Sequence, residues 1–444
     1  MPAVSLSRTH THIMLLMSLI AGVGFFDFMV LLYMADTIKQ VFLLPNTGWL
    51  YYSQLIGLFM VGCIASPLGG FLIGRYGDTY GRKPALFISL CILAICTLAM
   101  GFIPFGGSLI MIAPLLLLLA RFGQNMAFGG QLPTMWVFVA EHLPKRYFGI
   151  SCALILAGCL GSLLFLSILI NTLENNLTHT QMLDFGWRIP FLLSGSISFF
   201  LLFAVYKLDE TPEFTRIQHN ACPSANNKAI NMHTLPQDNL HRKHHPPIKQ
   251  QLILFVPALV LSWILSSLFV VLAVLLPDLI GAGFVLTDGF LSFGRAISLF
   301  FMLIGCIFYG FLVDYVNIGK VMLFGGILLV LQLVLFFGHL KTGGELILIF
   351  FAMLGFAGGV MTSIPVVLVR LFPIKNRLTN IATTYNVVYA LVSSVLPFVL
   401  GYVTFSLRLA PALYLMLVAL AMIFISFYIY YLAHYELDPS EHSK

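Results

Sequence analysis

The chain reads Gly-Arg-Tyr-Gly-Asp-Thr-Tyr-Gly-Arg-Lys-Pro from Gly74 to Pro84, between two long apolar runs. The glycines in this stretch permit close helix packing and a tight turn. Asp78 places a negative charge at the membrane surface, where it can meet the positive amino end of a helix. We predict that this helix begins near residue 378. Because the glycine spacing exceeds what a simple loop anchor needs, Asp78 and Arg82 are expected to belong to a gate.

The apolar runs around this stretch are long enough to cross a bilayer. Hydrophobic residues make up 59% of the 444 residues and charged residues 9%, against about 25% charged residues in soluble domains. A spanning helix needs roughly 20 mostly apolar residues. Twelve runs qualify, at residues 13–36, 51–73, 85–104, 108–139, 150–173, 188–207, 251–280, 287–313, 319–340, 345–369, 378–406 and 409–433. Since they are continuous rather than alternating, the sequence predicts an all-α membrane protein and not a β-barrel.

The positions of lysine and arginine predict the orientation. Of the 23 such residues, 17 fall on the side that also holds both termini. Four fall on the opposite side, namely Lys39, Arg188, Lys341 and Arg408. Because cytoplasmic loops are enriched in positive residues, both termini are predicted to be cytoplasmic. The first apolar run is long and lacks an evident cleavage pattern, so it is expected to be a helix and not a signal peptide.

A polar segment at residues 209–250 divides the chain into two halves. We predict a six-helix bundle over residues 1–208, a cytoplasmic linker over 209–250 and a second six-helix bundle over 251–444. The linker contains five histidines, at positions 219, 233, 241, 244 and 245. No cysteine or carboxylate accompanies them at ligand spacing, so the segment is expected to be a solvated loop without a metal site. No cofactor is expected either.

The two halves carry matching short motifs. Gly310–Asp314 in the second half resembles Gly74–Asp78 in the first, and Phe372–Arg377 resembles Leu143–Arg146. Repeated halves with a site at their interface are typical of transporters. Arg82 can pair with an acid at the end of the fourth run. The predicted gate therefore comprises Asp78, Arg82, Glu141, Arg146, Asp314 and Arg377.

Three charges interrupt the apolar runs, at Asp27, Arg121 and Arg295. Asp27 lies roughly 21 Å into its run at 1.5 Å per residue, in a core about 30 Å thick. A buried charge costs roughly 2.5–3.5 kcal/mol on insertion scales, so Asp27 and Arg121 are expected to face a central cavity. We predict that they couple transport to protons; a purely structural ion pair is the alternative.

Two arginines and one acid leave the expected cavity positive. Arginine binds carboxylates through two parallel hydrogen bonds, so a small anionic solute is predicted as substrate. Neighbouring polar and aromatic side chains can add contacts. The predicted substrate-binding residues are Arg121, Arg295, Gln124, Gln131, Tyr33, Trp263, Tyr385 and Asn386, and the further candidates are Gln54, Asn125 and Tyr389.

These residues resemble the major facilitator superfamily, whose pattern Gly-x-x-x-Asp-x-x-Gly-Arg-Lys is present from Gly74 to Lys83. More of the chain is similar to its metabolite:proton symporter family, which includes proline/betaine, α-ketoglutarate, citrate and shikimate carriers. The further similar stretches are Phe25–Phe28, Arg121–Gln124, Gly129–Gly130, Trp187–Phe191, Glu210–Phe214, Phe372–Pro373, Arg377 and Tyr385–Asn386. The resemblance implies two pseudo-symmetric six-helix bundles and proton-coupled symport.

The chain departs from the family pattern at two positions. Gly24 and Gln131 stand where the family has glutamate, which leaves Asp27 as the acid through which proton coupling is expected. The alternative function is an efflux carrier or siderophore transporter of the same fold. A non-transporting receptor fits the repeats less well, and no enzyme motif is present. We expect a monomer in a bacterial inner membrane whose partners are a small solute, protons and lipid, without nucleic acid.

Overall fold

A computed structural model of the protein describes residues 7–42, 48–104, 112–221, 248–284, 288–340 and 346–437. Twelve long helices, numbered α1 to α12, run through this part of the chain. The first six are Arg8–Tyr33, Gly48–Tyr80, Arg82–Gly101, Ala113–His142, Phe148–Asn176 and Arg188–Tyr206. The last six are Ile248–Leu268 with its continuation to Gly283, Asp288–Tyr315, Ile318–Leu340, Ile347–Leu371, Arg377–Ser406 and Ala410–Leu437. The predicted all-α architecture of twelve spans is confirmed.

Ten of these helices are long and apolar enough to cross a membrane. The other two are α2 and α4, which have 33 and 30 residues. Helix α4 carries Arg121, Gln124, Asn125 and Gln131 along its length, all of them buried. The polar residues of α4 therefore face protein and not lipid, as expected of polar groups at membrane depth.

Two helices change their winding near the middle of the molecule. Helix α7 passes through a π-helical segment, Phe269–Leu275, before it ends as Leu276–Gly283. Helix α10 passes through a 3₁₀ segment, Gly359–Thr362, between Ile347–Gly358 and Ser363–Leu371. Such departures from α geometry often mark functional regions. The π segment of α7 lines the central cavity described below.

The helices form two bundles that meet along two lines of contact. Within the first bundle α2 packs on α4, α5 on α1, and α3 on α4 and α6. Within the second, α8 packs on α10, α9 on α12, and α7 on α11. The bundles meet where α2 packs on α11 and where α5 packs on α8. Large apolar side chains such as Phe200 and Phe424 are exposed on the outside, as a lipid-facing surface requires.

The boundaries differ from the prediction around the two matching motifs. Helix α2 continues to Tyr80 and α3 begins at Arg82, so Asp78 lies in the last turn of a helix and not in a loop. Asp314 likewise lies inside α8, which ends at Tyr315. The break between the two helices is the single residue Gly81, whose φ is 121°.

The predicted linker is described only at its two ends. A short helix, Pro212–Ala221, follows α6, and α7 begins at Ile248. The linker histidines at 233, 241, 244 and 245 lie outside the described residues, and the proposed domain limits stay a prediction.

Candidate functional site

Asp78 joins the end of α2 to the start of α11 in the other half. Its carboxylate accepts hydrogen bonds from the backbone N–H of Leu378 at 3.2 Å and of Thr379 at 2.8 Å. The Thr379 hydroxyl donates to it as well, at 2.7 Å. The carboxylate thus satisfies otherwise free N–H groups at the positive end of the helix dipole. The structure places Asp78 against the helix that begins near residue 378.

Asp314 makes the corresponding contact in the opposite direction. It ends α8 in the second half and accepts hydrogen bonds from the N–H groups of Gly149 at 2.6 Å and Ile150 at 2.9 Å. These residues begin α5 in the first half. Each half therefore caps a helix of the other half.

Glu141, near the end of α4, binds arginines from both halves. Arg82 donates to it through Nε at 2.9 Å and Nη2 at 3.2 Å, and Arg377 donates through Nη1 at 3.1 Å. Arg82 also donates to the carbonyl oxygen of Ile374 at 2.9 Å. Because the Glu141 side chain has no exposed surface, these charge-assisted bonds are protected from solvent screening.

Arg146 completes this end of the molecule from the turn between α4 and α5. Its guanidinium lies 5.3 Å from the ring of Tyr315 at the end of α8. We call the set Asp78, Arg82, Glu141, Arg146, Asp314 and Arg377 the latch. All six predicted gate residues lie at this one end, which is the predicted cytoplasmic end.

The segment after α6 also contacts the latch, and sequence reasoning assigned it no role. Glu210 accepts hydrogen bonds from the N–H groups of Arg82 at 3.0 Å and Lys83 at 3.1 Å. Thr211 donates to Glu141 at 2.8 Å, and Glu213 pairs with Arg377 at 3.2 Å. The acidic stretch Glu210–Phe214 was visible only as a family resemblance, because its partners are far away in sequence.

A cavity of about 300 Å³ lies between the halves. The order of residues along α1, α4 and α11 places it away from the latch. Its lining is mostly apolar, and Arg121 is the charged residue in it. The lining residues are Phe28, Met29, Leu32, Gly62, Ser66, Arg121, Asn125, Val270, Val274, Leu275, Tyr389, Ser393, Ser394, Pro397 and Phe398.

Arg121 and Asp27 are connected through two neutral side chains. Arg121 donates through Nη1 to the Oε1 of Gln124 at 2.7 Å, and the Nε2 of Gln124 donates to the Oγ1 of Thr97 at 3.0 Å. Thr97 donates to the Oδ2 of Asp27 at 3.0 Å. Asp27 is fully buried and does not line the cavity. We call this chain of hydrogen bonds the relay.

Two further contacts hold the Arg121 guanidinium at the cavity wall. Its Nη2 donates to the carbonyl oxygen of Phe28 at 3.0 Å, and its carbon lies 4.9 Å from the centre of the Phe28 ring. The guanidinium is therefore oriented before any solute arrives, and its Nε has no hydrogen-bond partner among the described residues.

An aromatic layer separates the cavity from the latch. Phe28 lies 5.0 Å from Phe128 and 6.1 Å from Tyr389, measured between ring centres. Phe25 lies 6.0 Å from both Phe28 and Phe128, and 4.8 Å from Phe269 of α7. These rings come from α1, α4, α7 and α11, so both halves contribute to the layer.

Other predicted substrate-binding residues lie outside the cavity. Arg295 forms an ion pair with Asp278. Trp263 donates to the hydroxyl of Tyr414 at 3.0 Å. Tyr33 is the last residue of α1 and is absent from the lining.

Gln131, Tyr385 and Asn386 are buried on the latch side of the aromatic layer. Gln131 lies against Gly24, and these are the two positions at which the chain departs from the family pattern. A β-carbon at Gly24 would collide with the amide oxygen of Gln131.

Two bundles joined by reciprocal helix caps, with a charged cavity between them, agree with the major facilitator architecture that the sequence predicts. The chain belongs to the sugar (and other) transporter family, whose model matches residues 14–243.

Relatives agree with this assignment. The first is a Staphylococcus aureus protein described as a proline/betaine transporter, 35% identical over 199 residues, or 44% of this chain. The match spans 42% of that relative. The proline/betaine transporter of Escherichia coli is 30% identical over 43% of this chain and 38% of its own. The E. coli inner membrane metabolite transport protein YhjE is 27% identical over 79% of this chain and 77% of its own length.

A solved structure shows the same fold over nearly the whole chain. The proton:xylose symporter XylE, bound to 6-bromo-6-deoxy-D-glucose, superposes with a TM-score of 0.78 at 15% identity, covering 96% of each chain. The resemblance to metabolite:proton symporters of the major facilitator superfamily is thereby confirmed. The protein is a multi-pass bacterial membrane protein.

Proposed function

We propose that the protein carries a small carboxylate-bearing metabolite together with a proton across the bacterial inner membrane by alternating access, with both termini in the cytoplasm. The observation that carries this proposal is the relay between Arg121 at the cavity and Asp27 behind it. Arg121 offers a solute carboxylate an oriented guanidinium, and Asp27 offers a proton a buried carboxylate.

Charge balance explains why solute and proton would move together. In the empty site Arg121 carries one positive charge and Asp27 one negative charge. A bound monoanion adds a second negative charge to a buried region, and an uncompensated buried charge costs about 3–5 kcal/mol. A proton on Asp27 restores the balance. The site is therefore neutral either when empty or when it holds both the anion and the proton.

The cavity limits the size of the solute. About 300 Å³ lies at the lower end of the range of roughly 300–1,000 Å³ for ligand pockets. This volume suits a small metabolite better than a siderophore. The aromatic walls beside Arg121, formed by Phe28 and Tyr389, would also accept the methylated ammonium group of a betaine. Betaine, proline, α-ketoglutarate and citrate are the first solutes to test.

The decisive experiment measures uptake into proteoliposomes under an imposed proton gradient. A solute that stabilises the purified protein in a thermal-shift screen is offered in radiolabelled form, since a ligand stabilises the state it binds. We expect accumulation above the equilibrium level only when the gradient is present. Replacing Arg121 with lysine keeps the charge but removes the two-bond geometry, and should weaken binding about tenfold. Unchanged binding in this variant would contradict carboxylate recognition by Arg121.

The efflux alternative predicts the opposite dependence on direction. An exporter would move the solute against the proton flow, so the same proteoliposomes would lose preloaded solute when protons are driven in. Accumulation under an inward proton gradient excludes export by exchange.

A further inference from the structure

The side-chain amide of Gln131 is buried on the latch side of the aromatic layer. It is 1% exposed, and neither Oε1 nor Nε2 has a partner among the residues that the structure describes. An unpaired buried polar group costs about 1–3 kcal/mol, so such groups are uncommon in stable proteins. The relay does not use Gln131, and the cavity lining excludes it.

Two other buried side chains of α4 and α11 also carry unpaired polar atoms. The Nδ2 of Asn386 donates to the carbonyl oxygen of Gly129, two residues before Gln131, while its Oδ1 is unpaired among the described residues. The indole N–H of Trp136 is also unpaired there, and its ring lies 5.1 Å from the ring of Tyr385. We call Gln131, Trp136, Tyr385 and Asn386 the inner polar layer.

Gln131 lies about one helical turn beyond Phe128 of the aromatic layer on the path to the latch, and Trp136 follows five residues later on the same helix. Along α4 the order is Arg121 at the cavity, Phe128 in the aromatic layer, Gln131, and then Glu141 in the latch. Along α11 Tyr385 comes four residues before Tyr389, and one turn is about 5.4 Å. The centres of these two rings are 5.5 Å apart. A solute that leaves the cavity toward the latch meets the inner polar layer next.

We propose that the inner polar layer is a second binding position, which takes the solute carboxylate after it leaves Arg121 and the aromatic layer opens. This inference rests on the proposed function. Gln131 Nε2 would donate to the carboxylate. All four residues are neutral, so the carboxylate loses the positive partner and the two parallel hydrogen bonds that the Arg121 guanidinium offers. The carboxylate is therefore held less tightly here than at Arg121, which favours release at the latch end.

Gly24 gives the Gln131 amide the space that it needs. A β-carbon at Gly24 would overlap the amide oxygen of Gln131, whereas glycine leaves this volume open. Gln131 is thus the binding residue of the second position, and Gly24 permits its orientation.

The test compares Gln131→Leu with the wild type in binding and in transport. Gln332→Leu is the matched control, because Gln332 is buried, has an unpaired Oε1 among the described residues, and lines a groove between α8, α9 and α10 away from the path. Betaine, proline, α-ketoglutarate and citrate are the probes. For a probe that the wild type transports, we expect Gln131→Leu to bind it within twofold of the wild type. Its maximal uptake rate should be about tenfold lower, the effect of one hydrogen bond.

Each alternative outcome has a defined meaning. A normal rate in Gln131→Leu overturns the inner position and leaves the proposed function intact. Binding lost in parallel with the rate also overturns it, since Gln131 would then belong to the first site. If the wild type accumulates none of the four probes under a proton gradient, the proposed function fails and this inference fails with it.

A labelling measurement does not depend on the activity of the leucine variant. Gln131→Cys is combined with Asp78→Asn, and the modification of that one cysteine by a water-soluble maleimide is followed by peptide mass spectrometry. We expect faster labelling than with the latch intact, and slower labelling when a transported probe is saturating. Gln332→Cys should show neither change. Labelling at position 131 that the probe does not slow would overturn the inner position.

Discussion

Asp78 and Asp314 occupy matching positions in the two halves, and each caps the first turn of a helix in the opposite half. The two caps differ in strength. Asp78 also accepts the Thr379 hydroxyl and lies 3.4 Å from Arg82. The two caps therefore follow the same arrangement, but the Asp78 cap between α2 and α11 has more contacts than the Asp314 cap between α8 and α5.

Replacing Asp78 with asparagine should loosen the start of α11. The amide retains one accepting oxygen but loses the negative charge at the helix terminus, for an expected loss of about 1–2 kcal/mol. Hydrogen exchange of the Leu378 and Thr379 amides should then accelerate roughly 5- to 30-fold. In Asp314→Asn the faster amides should be those of Gly149 and Ile150. Identical exchange maps for the two variants would contradict separate caps.

Replacing Glu141 with glutamine should destabilise the protein strongly. Arg82 and Arg377 would both lose their buried carboxylate partner, and breaking a buried pair costs about 3–5 kcal/mol. Glu213→Gln removes the same charge at a side chain that is 38% exposed, and should cost at most about 1 kcal/mol. Thermal unfolding in detergent measures both, and equal shifts would contradict the central position of Glu141.

Replacing Asp27 with asparagine should separate transport from the proton gradient. The asparagine oxygen can still accept the Thr97 hydrogen bond, so the relay persists, but the side chain no longer takes up a proton. Exchange of labelled for unlabelled solute should continue, while gradient-driven accumulation is lost. Asp278→Asn, which removes an acid from the Arg295 pair outside the cavity, should retain accumulation. Accumulation that persists in Asp27→Asn would exclude Asp27 as the coupling residue.

A monoanion carried with one proton should move without net charge. Uptake of such a solute should therefore respond to the pH gradient and not to an imposed membrane potential. A zwitterion such as betaine carried with a proton would add one positive charge, worth about 2.3 kcal/mol per 100 mV. Potassium-diffusion potentials imposed on proteoliposomes distinguish the two cases.

Replacing Gly24 with alanine should destabilise the first bundle through Gln131. The added methyl group collides with the amide oxygen, and overpacking of this kind typically costs about 1–3 kcal/mol. The double change Gly24→Ala with Gln131→Ala should recover most of this loss, as measured in a double-mutant cycle. Gly401→Ala serves as the control, since a β-carbon there meets nothing within 4 Å. Simple additivity of the two changes would contradict the contact.

The sequence predicted the fold because membrane spans have a local signature. The length of each apolar run and the uneven distribution of lysine and arginine can be recognised without knowing which residues are in contact. The sequence also predicted that Asp78 meets the start of the helix near residue 378. Helix ends were less accurate, since α2 continues through Asp78 to Tyr80. Nothing in the composition distinguishes a loop from the last turn of a helix when Gly81 follows.

The contacts of the site required the structure because they join distant residues. Asp27 and Arg121 were expected to face one cavity, but two neutral side chains, Thr97 and Gln124, connect them. Arg295 was expected to face the cavity, yet it pairs with Asp278 of α7. The sequence does not show which neighbour an uncharged polar side chain in an apolar run will contact.

The span of chain between Asp78 and its partners also determines when the latch can close during synthesis. Glu141, Arg82 and Thr211 all belong to the first half and can join as soon as α6 has emerged. Leu378 and Thr379 follow Asp78 by 300 and 301 residues. At about 5–20 residues per second the ribosome needs roughly 15–60 s to supply them. Until the last two helices are being made, the Asp78 carboxylate therefore lacks the helix start that it caps.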